Sequence, residues 1–374
     1  MSNEPARPAA DAADARSNVE PPRRRGCLGA LTGFAVRSGL RFVVAIAVLW
    51  GALALHYSNL PWPLGRTLLA FAFLTFALWA LLVRRTAAAK RTLAVVFAAV
   101  VVWFILIPAS HDRPWRAEVA VLPRATIDGD KVVLTGFRHF HYRSRDDFDI
   151  RYETREFDIK DVVALDFFVS DWGLGVVGHT FVSFWLREGP PICVSIEIRP
   201  EEGEGFDPLA SNFKQFELIY VVGDERDIVG VRTDHRNETV RLYRVHAKPE
   251  AVQRFLRVYL DRINDLHARP EWYNLLSNNC SINIVRYANA AGRQGRFSIR
   301  HLLNGLMDHY LYLIGALDLS MPFAELRERS IVNDASTAAA GREDFSWRIR
   351  EGLPGIDTSL KFEDLPDADQ NATR

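Results

Sequence analysis

An α+β domain with one antiparallel sheet, following three N-terminal transmembrane helices, is the architecture this sequence predicts. Three observations carry it. Uncharged apolar runs crowd the chain before residue 110, strand-period segments fill about 117–245, and helical period takes over from Pro249. Whole-chain averages hide the partition: among 374 residues, 46 basic and 46 acidic side chains cancel, with 25% charged and 48% hydrophobic. That balance excludes a globally basic nucleic-acid binder, so no nucleic-acid partner is expected. Three cysteines exclude a disulfide-stapled scaffold and a four-cysteine zinc ribbon.

Residues 1–34 mix Ala, Pro, Asp and Arg without hydrophobic period and read as a disordered cytoplasmic tail. Residues 35–110 read as the anchor, with apolar runs at 42–57, 68–83 and 93–107, the last stopped by Pro108. With its flanks, each is long enough for a helix to cross roughly 30 Å of hydrocarbon. Arg23, Arg24, Arg25, Arg37 and Arg41 precede the first run, and Arg84, Arg85, Lys90 and Arg91 lie between the second and third. The loop at 58–66 carries only Arg66. Basic residues stay on the cytoplasmic side, so the expected topology is N-terminus inside, in a bacterial inner membrane, with a periplasmic C-terminal domain. Trp62, Trp103 and Trp115 sit near span ends, as interfacial anchors do.

The domain is expected over 111–362, followed by a solvated tail at 363–374. Strands are expected at 117–122, 131–137, 148–157, 162–169, 179–186, 192–199, 216–222 and 240–245. Apolar residues three and four apart predict helices at 251–266, 279–291 and 299–317. No internal repeat is visible.

Motifs narrow the chemistry. Gly173, Gly175 and Gly178 have dinucleotide-fingerprint spacing, but the following HTFVSFWL is strand-like, so the glycines read as a loop entering a strand. His139 and His141 would share a strand face but lack a third ligand at a recognisable spacing, so no metal or cofactor is expected. There is no GxSxG elbow and no Walker loop.

Cys280 is more telling. In SNNCSINIV it follows the N-cap types Ser277, Asn278 and Asn279 and enters a helix, where free N–H groups and the dipole favour a thiolate. A cysteine nucleophile needs an imidazole, and His179, opening a strand, is the candidate. Ser195, Glu197 and Arg199 share a face of the next strand; Glu197 is preferred as the group that orients and stabilises the imidazolium. Two other readings stay open: a Cys193–Cys280 disulfide, and inert burial of Cys280. The charged stretch at 145–158 reads as a solvated strand face, from which Tyr152 or Arg155 could grip a phosphate or carbonyl.

The segments FDIRYETREFD, GHTFVSF, SIEIRPEEGE, FELIYVVGDERD, VRLY and WYNLLSNNCSINI resemble the Lnb N-terminal periplasmic domain family of bacterial envelope proteins. The resemblance implies a permuted papain-like fold, in which the histidine strand precedes the cysteine helix, as His179 precedes Cys280. It also implies a lipoprotein N-acyltransferase-like activity. One departure stands out: the family name places the periplasmic domain first, whereas here the apolar runs precede it.

The expected function is a membrane-anchored thiol acyltransferase. Cys280 takes an acyl chain from a membrane lipid ester, its oxyanion held by the Cys280 N–H with Asn278 or Asn279, and passes it to an amine such as a lipoprotein N-terminus. Trp172, Phe181 and Phe184 are candidates to line an acyl groove. The alternatives are a cysteine peptidase or amidase acting on cell-wall peptide, and a non-catalytic envelope binding module.

Overall fold

The computed structural model describes residues 27–356 except 59, 61, 174 and 297. The expected tail at 363–374 and most of that at 1–34 lie outside the described residues. Helix α1 (Cys27–His56) begins before residue 34, so the helix reaches further into the N-terminal segment than its composition indicates. Helix α2 (Pro63–Leu78) starts with Pro at its first position, where a missing N–H costs nothing, and runs on as a π-helical turn to Arg84. Thr86 caps α3 (Ala87–Leu106) by accepting the Ala89 N–H. All three are long and apolar enough to cross a membrane.

Strands β1 (Arg124–Asp128), β2 (Lys131–Arg138), β5 (Tyr152–Asp158), β6 (Val162–Asp171), β7 (Gly178–Leu186), β8 (Ile192–Arg199), β9 (Glu217–Gly223) and β10 (Thr239–Val245) form one sheet. Its order is β1-β2-β9-β8-β7-β6-β10, with β5 also on β2. The short β3 (His141–Tyr142) and β4 (Phe148–Asp149) pair separately. Every pairing is antiparallel except β2 with β9, which meet at Arg138 and Gly223 alone. The sheet is therefore mixed. Glycine is required at that meeting, because a Cβ on Gly223 would collide with the Arg138 carbonyl. The strand expected at 117–122 is instead a 3-10 turn at Ala117–Val119, and the strand follows at β1.

Helices cover both faces. On one lie α5 (Pro249–Ala268), α6 (Cys280–Ala290), 3-10 turns at Ile299–His301 and Asn304–Leu306, α7 (Met307–Leu313) and Leu326 of α8 (Phe323–Arg329). They pack on Val169, Val182, Phe184, Val194, Tyr220 and Tyr243. On the other face, α4 (Glu225–Ile228), α9 (Asn333–Ala338) and α10 (Phe345–Arg348) bring Ile228, Val332 and Phe345 against Phe168, Phe181, Cys193 and Val221. The single helix expected at 299–317 is broken. Ser298 caps one short turn and Gly305 lies against the 175–177 backbone, where a Cβ would be 2.8 Å from Val176 C.

Anchor and domain share a joint. Phe213 sits among Trp50, Tyr57 and Phe104, and the Lys214 ammonium donates to the Ile105 and Ile107 carbonyls (2.9 Å each), capping the end of α3. Trp115, expected at the membrane interface, is instead buried in the domain, where the Arg199 guanidinium stacks 4.3 Å from its ring.

Candidate functional site

Cys280 is the first residue of α6. Asn279 caps the helix, its Oδ1 accepting the Ile282 N–H at 2.8 Å while its Nδ2 donates to the Leu275 carbonyl at 2.6 Å. The thiol is fully buried. Asn304 Nδ2 donates to Sγ at 3.2 Å, and the neighbouring Ser281 hydroxyl is hydrogen-bonded to Thr180 at 2.9 Å. Burial pushes the thiol pKa up, opposed by hydrogen bonds from Thr180 and Ser281. The sulfur is thus held as a neutral thiol despite its place at a helix N-terminus.

Asn304 stands on a strap of 3-10 turns that crosses the thiol. Gly305 N donates to the Val176 carbonyl (3.3 Å) and its carbonyl accepts from Arg327 (3.3 Å). Arg327 also pairs with Asp308 at 3.1 Å and Asp171 at 3.6 Å, and Tyr243 donates to Asp308 at 3.0 Å. This network fastens the strap to β6 and β10.

His179 does not face the thiol. Successive residues of a strand point to opposite faces, and Thr180 is the residue turned toward α6. His179 instead shares a face with Phe181, Ser195 and Cys193, as the β6–β7 and β7–β8 registers require. Its Nε2 is hydrogen-bonded to Ser195 Oγ at 2.7 Å and lies 3.9 Å from Glu197 Oε1. The nearer partner is therefore Ser195, and both groups meet the same ring nitrogen. Burial and the Arg232 guanidinium push the imidazole pKa down to about 3, so the ring is neutral.

Glu197 is engaged by Arg232 at 2.7 Å. Burial works to raise the Glu197 pKa, but the Arg232 guanidinium outweighs it and holds the carboxyl well below the usual range. Arg199 turns to the Val119 and Ala120 carbonyls. The sheet thus brings His179 and Glu197 together and separates both from Cys280.

The remaining expected residues are placed elsewhere. Asn279 is committed to its cap. Asn278 donates to the Trp272 carbonyl and accepts from Asn283, so neither carboxamide is free to hold an oxyanion. Tyr152 and Arg155 lie on β5, four strand spacings from β7, or about 19 Å. Arg155 stacks on Phe137 and pairs with Glu153. Phe181 and Phe184 are buried on opposite faces and cannot line one groove, whereas Trp172 is exposed beside Phe206. Cys193 and Cys280 are both free and on opposite faces, which removes the disulfide alternative. Asn304, Arg232 and Thr180 carry no motif or spacing that marks them in the sequence: Asn304 sits in an apolar run, Arg232 opens the polar run 232–238, and Thr180 is masked by the neighbouring His179.

No curated protein and no solved structure matches the chain. Residues 149–305, which hold His179, Glu197, Cys280 and Asn304, match the Lnb N-terminal periplasmic domain family, the one the sequence resembles.

Proposed function

We propose that this membrane-anchored periplasmic domain is a thiol acyltransferase with Cys280 as its nucleophile, acting at the outer surface of a bacterial inner membrane. The observation that carries the reading is the Asn304 carboxamide directed at Sγ at the first turn of α6, inside the matched segment. A side-chain amide there can steady a thiolate as it forms and, with the Cys280 N–H, an oxyanion.

In the reaction, the Cys280 thiolate attacks a lipid ester carbonyl. The C–S bond forms, the ester C–O bond breaks, and the lysolipid alkoxide takes a proton. An amine, such as a lipoprotein N-terminus, then attacks the thioester; C–N forms, C–S breaks, and the amine proton returns the thiol. The arrangement described is the resting one. Turnover requires that the 304–306 strap lift from the sulfur and that a base reach it. His179 is held on the opposite face by Ser195, so the base must come from elsewhere or from a rearrangement of the β7 entry.

A non-catalytic envelope module is the second reading, favoured by the buried thiol and the opposed imidazole. The test is turnover in proteoliposomes, reading lysolipid and N-acyl peptide together. Wild type should form both in equal amounts and Cys280→Ala neither. Lysolipid and free fatty acid without N-acyl product would make water the acceptor; equal rates in wild type and Cys280→Ala end the thiol mechanism.

A further inference from the structure

Where the anchor meets the domain, a cavity of about 350 Å³ opens, within the size range of small-ligand sites. Its walls come from two parts of the chain. Tyr57 follows α1, Arg66 and Thr67 lie near the start of α2, and Glu204, Asp207 and Gln215 belong to the β8–β9 connection. Charges of both signs therefore face one space. Among the described residues Arg66 donates to the Ser58 carbonyl (2.8 Å) and to no carboxylate. Asp207 uses Oδ1 on the Leu209 and Ala210 N–H groups and keeps Oδ2 for a long 3.4 Å bond from the Tyr57 hydroxyl.

The depth of the cavity narrows the ligand. It lies at the ends of two spans, between His56 and Pro63, where lipid headgroups sit. Trp62 beside it is 70% exposed, and Phe206 and Leu209 on the opposite lip are 40% and 47% exposed, as residues dipping into an interface are. Trp172 packs edge-on against Phe206 at 5.3 Å, extending the apolar lip toward the loop that enters β7. The inner wall approaches the thiol: Phe216 lines the cavity, its carbonyl accepts the Tyr273 N–H at 2.9 Å, and Tyr273 shares a core with Cys280.

We infer that this cavity holds the headgroup of a phospholipid bearing both a phosphate and a primary ammonium, Arg66 taking the phosphate and Asp207 the ammonium. Identifying this lipid as the acyl donor rests on the acyltransferase reading; the binding itself does not.

The test uses full-length Cys280→Ala protein, which cannot consume its lipid, in nanodiscs of equal ethanolamine and choline phospholipid. Native mass spectrometry then reads the lipid each protein retains. Ethanolamine lipid should be retained over choline lipid by about tenfold, roughly what one charge-assisted hydrogen bond supplies. Arg66→Gln should lose both lipids, and Asp207→Asn should retain both without preference. The second variant reads a ratio, so reduced yield does not imitate it. Soluble glycerophosphoethanolamine should fail to displace the lipid; displacement at equal concentration would assign the cavity to a soluble phosphate ester. Equal retention of the two lipids, unchanged in Arg66→Gln, overturns the inference. Failure of the acyltransferase reading shows itself separately, as absent acyl transfer by wild type with the headgroup preference intact.

Discussion

His179 and Cys280 are carried by elements in contact and face opposite sides of the same sheet: Thr180 meets the start of α6, and His179 turns to Ser195. The relationship keeps the two groups from reacting with each other. A neutral imidazole hydrogen-bonded to a serine cannot take a proton from a thiol behind the strand.

The first consequence is chemical. In detergent-solubilised protein, Cys280 should react with iodoacetamide at pH 8 at least about tenfold more slowly than after denaturation, because its pKa is raised and its sulfur covered. Asn304→Ala should speed the reaction by removing the cover. Peptide-level mass spectrometry measures both rates, and equal rates in folded and denatured protein contradict the burial.

His179 sets an acid limit on stability. Its folded pKa of about 3 lies below its ordinary 6.5, so between those values the unfolded chain binds a proton that the folded one refuses. Stability is therefore lost as pH falls from 6.5 toward 3, with a slope approaching about 1.4 kcal/mol per pH unit. His179→Gln should flatten that limb in urea midpoints recorded from pH 7 to 4; an unchanged slope would mean the ring titrates normally.

Glu217 acts in the opposite sense. Burial raises its carboxyl from 4.5 to about 7, although Arg113 stands 3.0 Å away. The folded state then holds a proton that the unfolded state has released, so this group removes stability as pH rises from 4.5 to about 7. Glu217→Gln should be neutral near pH 4.5 and stabilising near pH 8, read as the shift in Tm at each pH. A Tm loss at both values would show that the carboxylate is ionised and needed by Arg113.

Arg350 is the hub of the C-terminal layer. It is fully buried and ties α10 to β6 through Asp166 (2.9 Å) and to α4 through Glu225 (2.7 Å). Arg350→Met should cost about 3–5 kcal/mol, because it leaves two buried carboxylates short of a partner. The partner substitutions Asp166→Asn and Glu225→Gln in the same chain should restore part of the loss. Urea denaturation measures it, and a loss below 1 kcal/mol would mean that water reaches the pocket.

Much of this fold was legible because it rests on local signals. Alternation marks β2, β8 and β10, Pro249 opens α5, and Asn279 caps α6. The parity of β7 was not legible. Helices cover both faces, so Thr180, Val182 and Phe184 on one side look as buried as Phe181, Ser183 and Trp185 on the other. Nothing local says which side α6 covers, and the pairing of Cys280 with His179 depended on that. Helices α8, α9 and α10 have four to seven residues each, too few to show a period. Asn304 was hidden inside an apolar run of helical period that the Ser298-capped turn and the contact of Gly305 with the Val176 backbone break into short pieces.

The most direct measurement is the mass of the Cys280 peptide from full-length wild-type protein after incubation with ethanolamine phospholipid in a bilayer. The account predicts an added acyl chain on that peptide, removed by neutral hydroxylamine and accompanied by an equal amount of lysolipid. An unmodified Cys280 peptide from protein that still retains the lipid would contradict it.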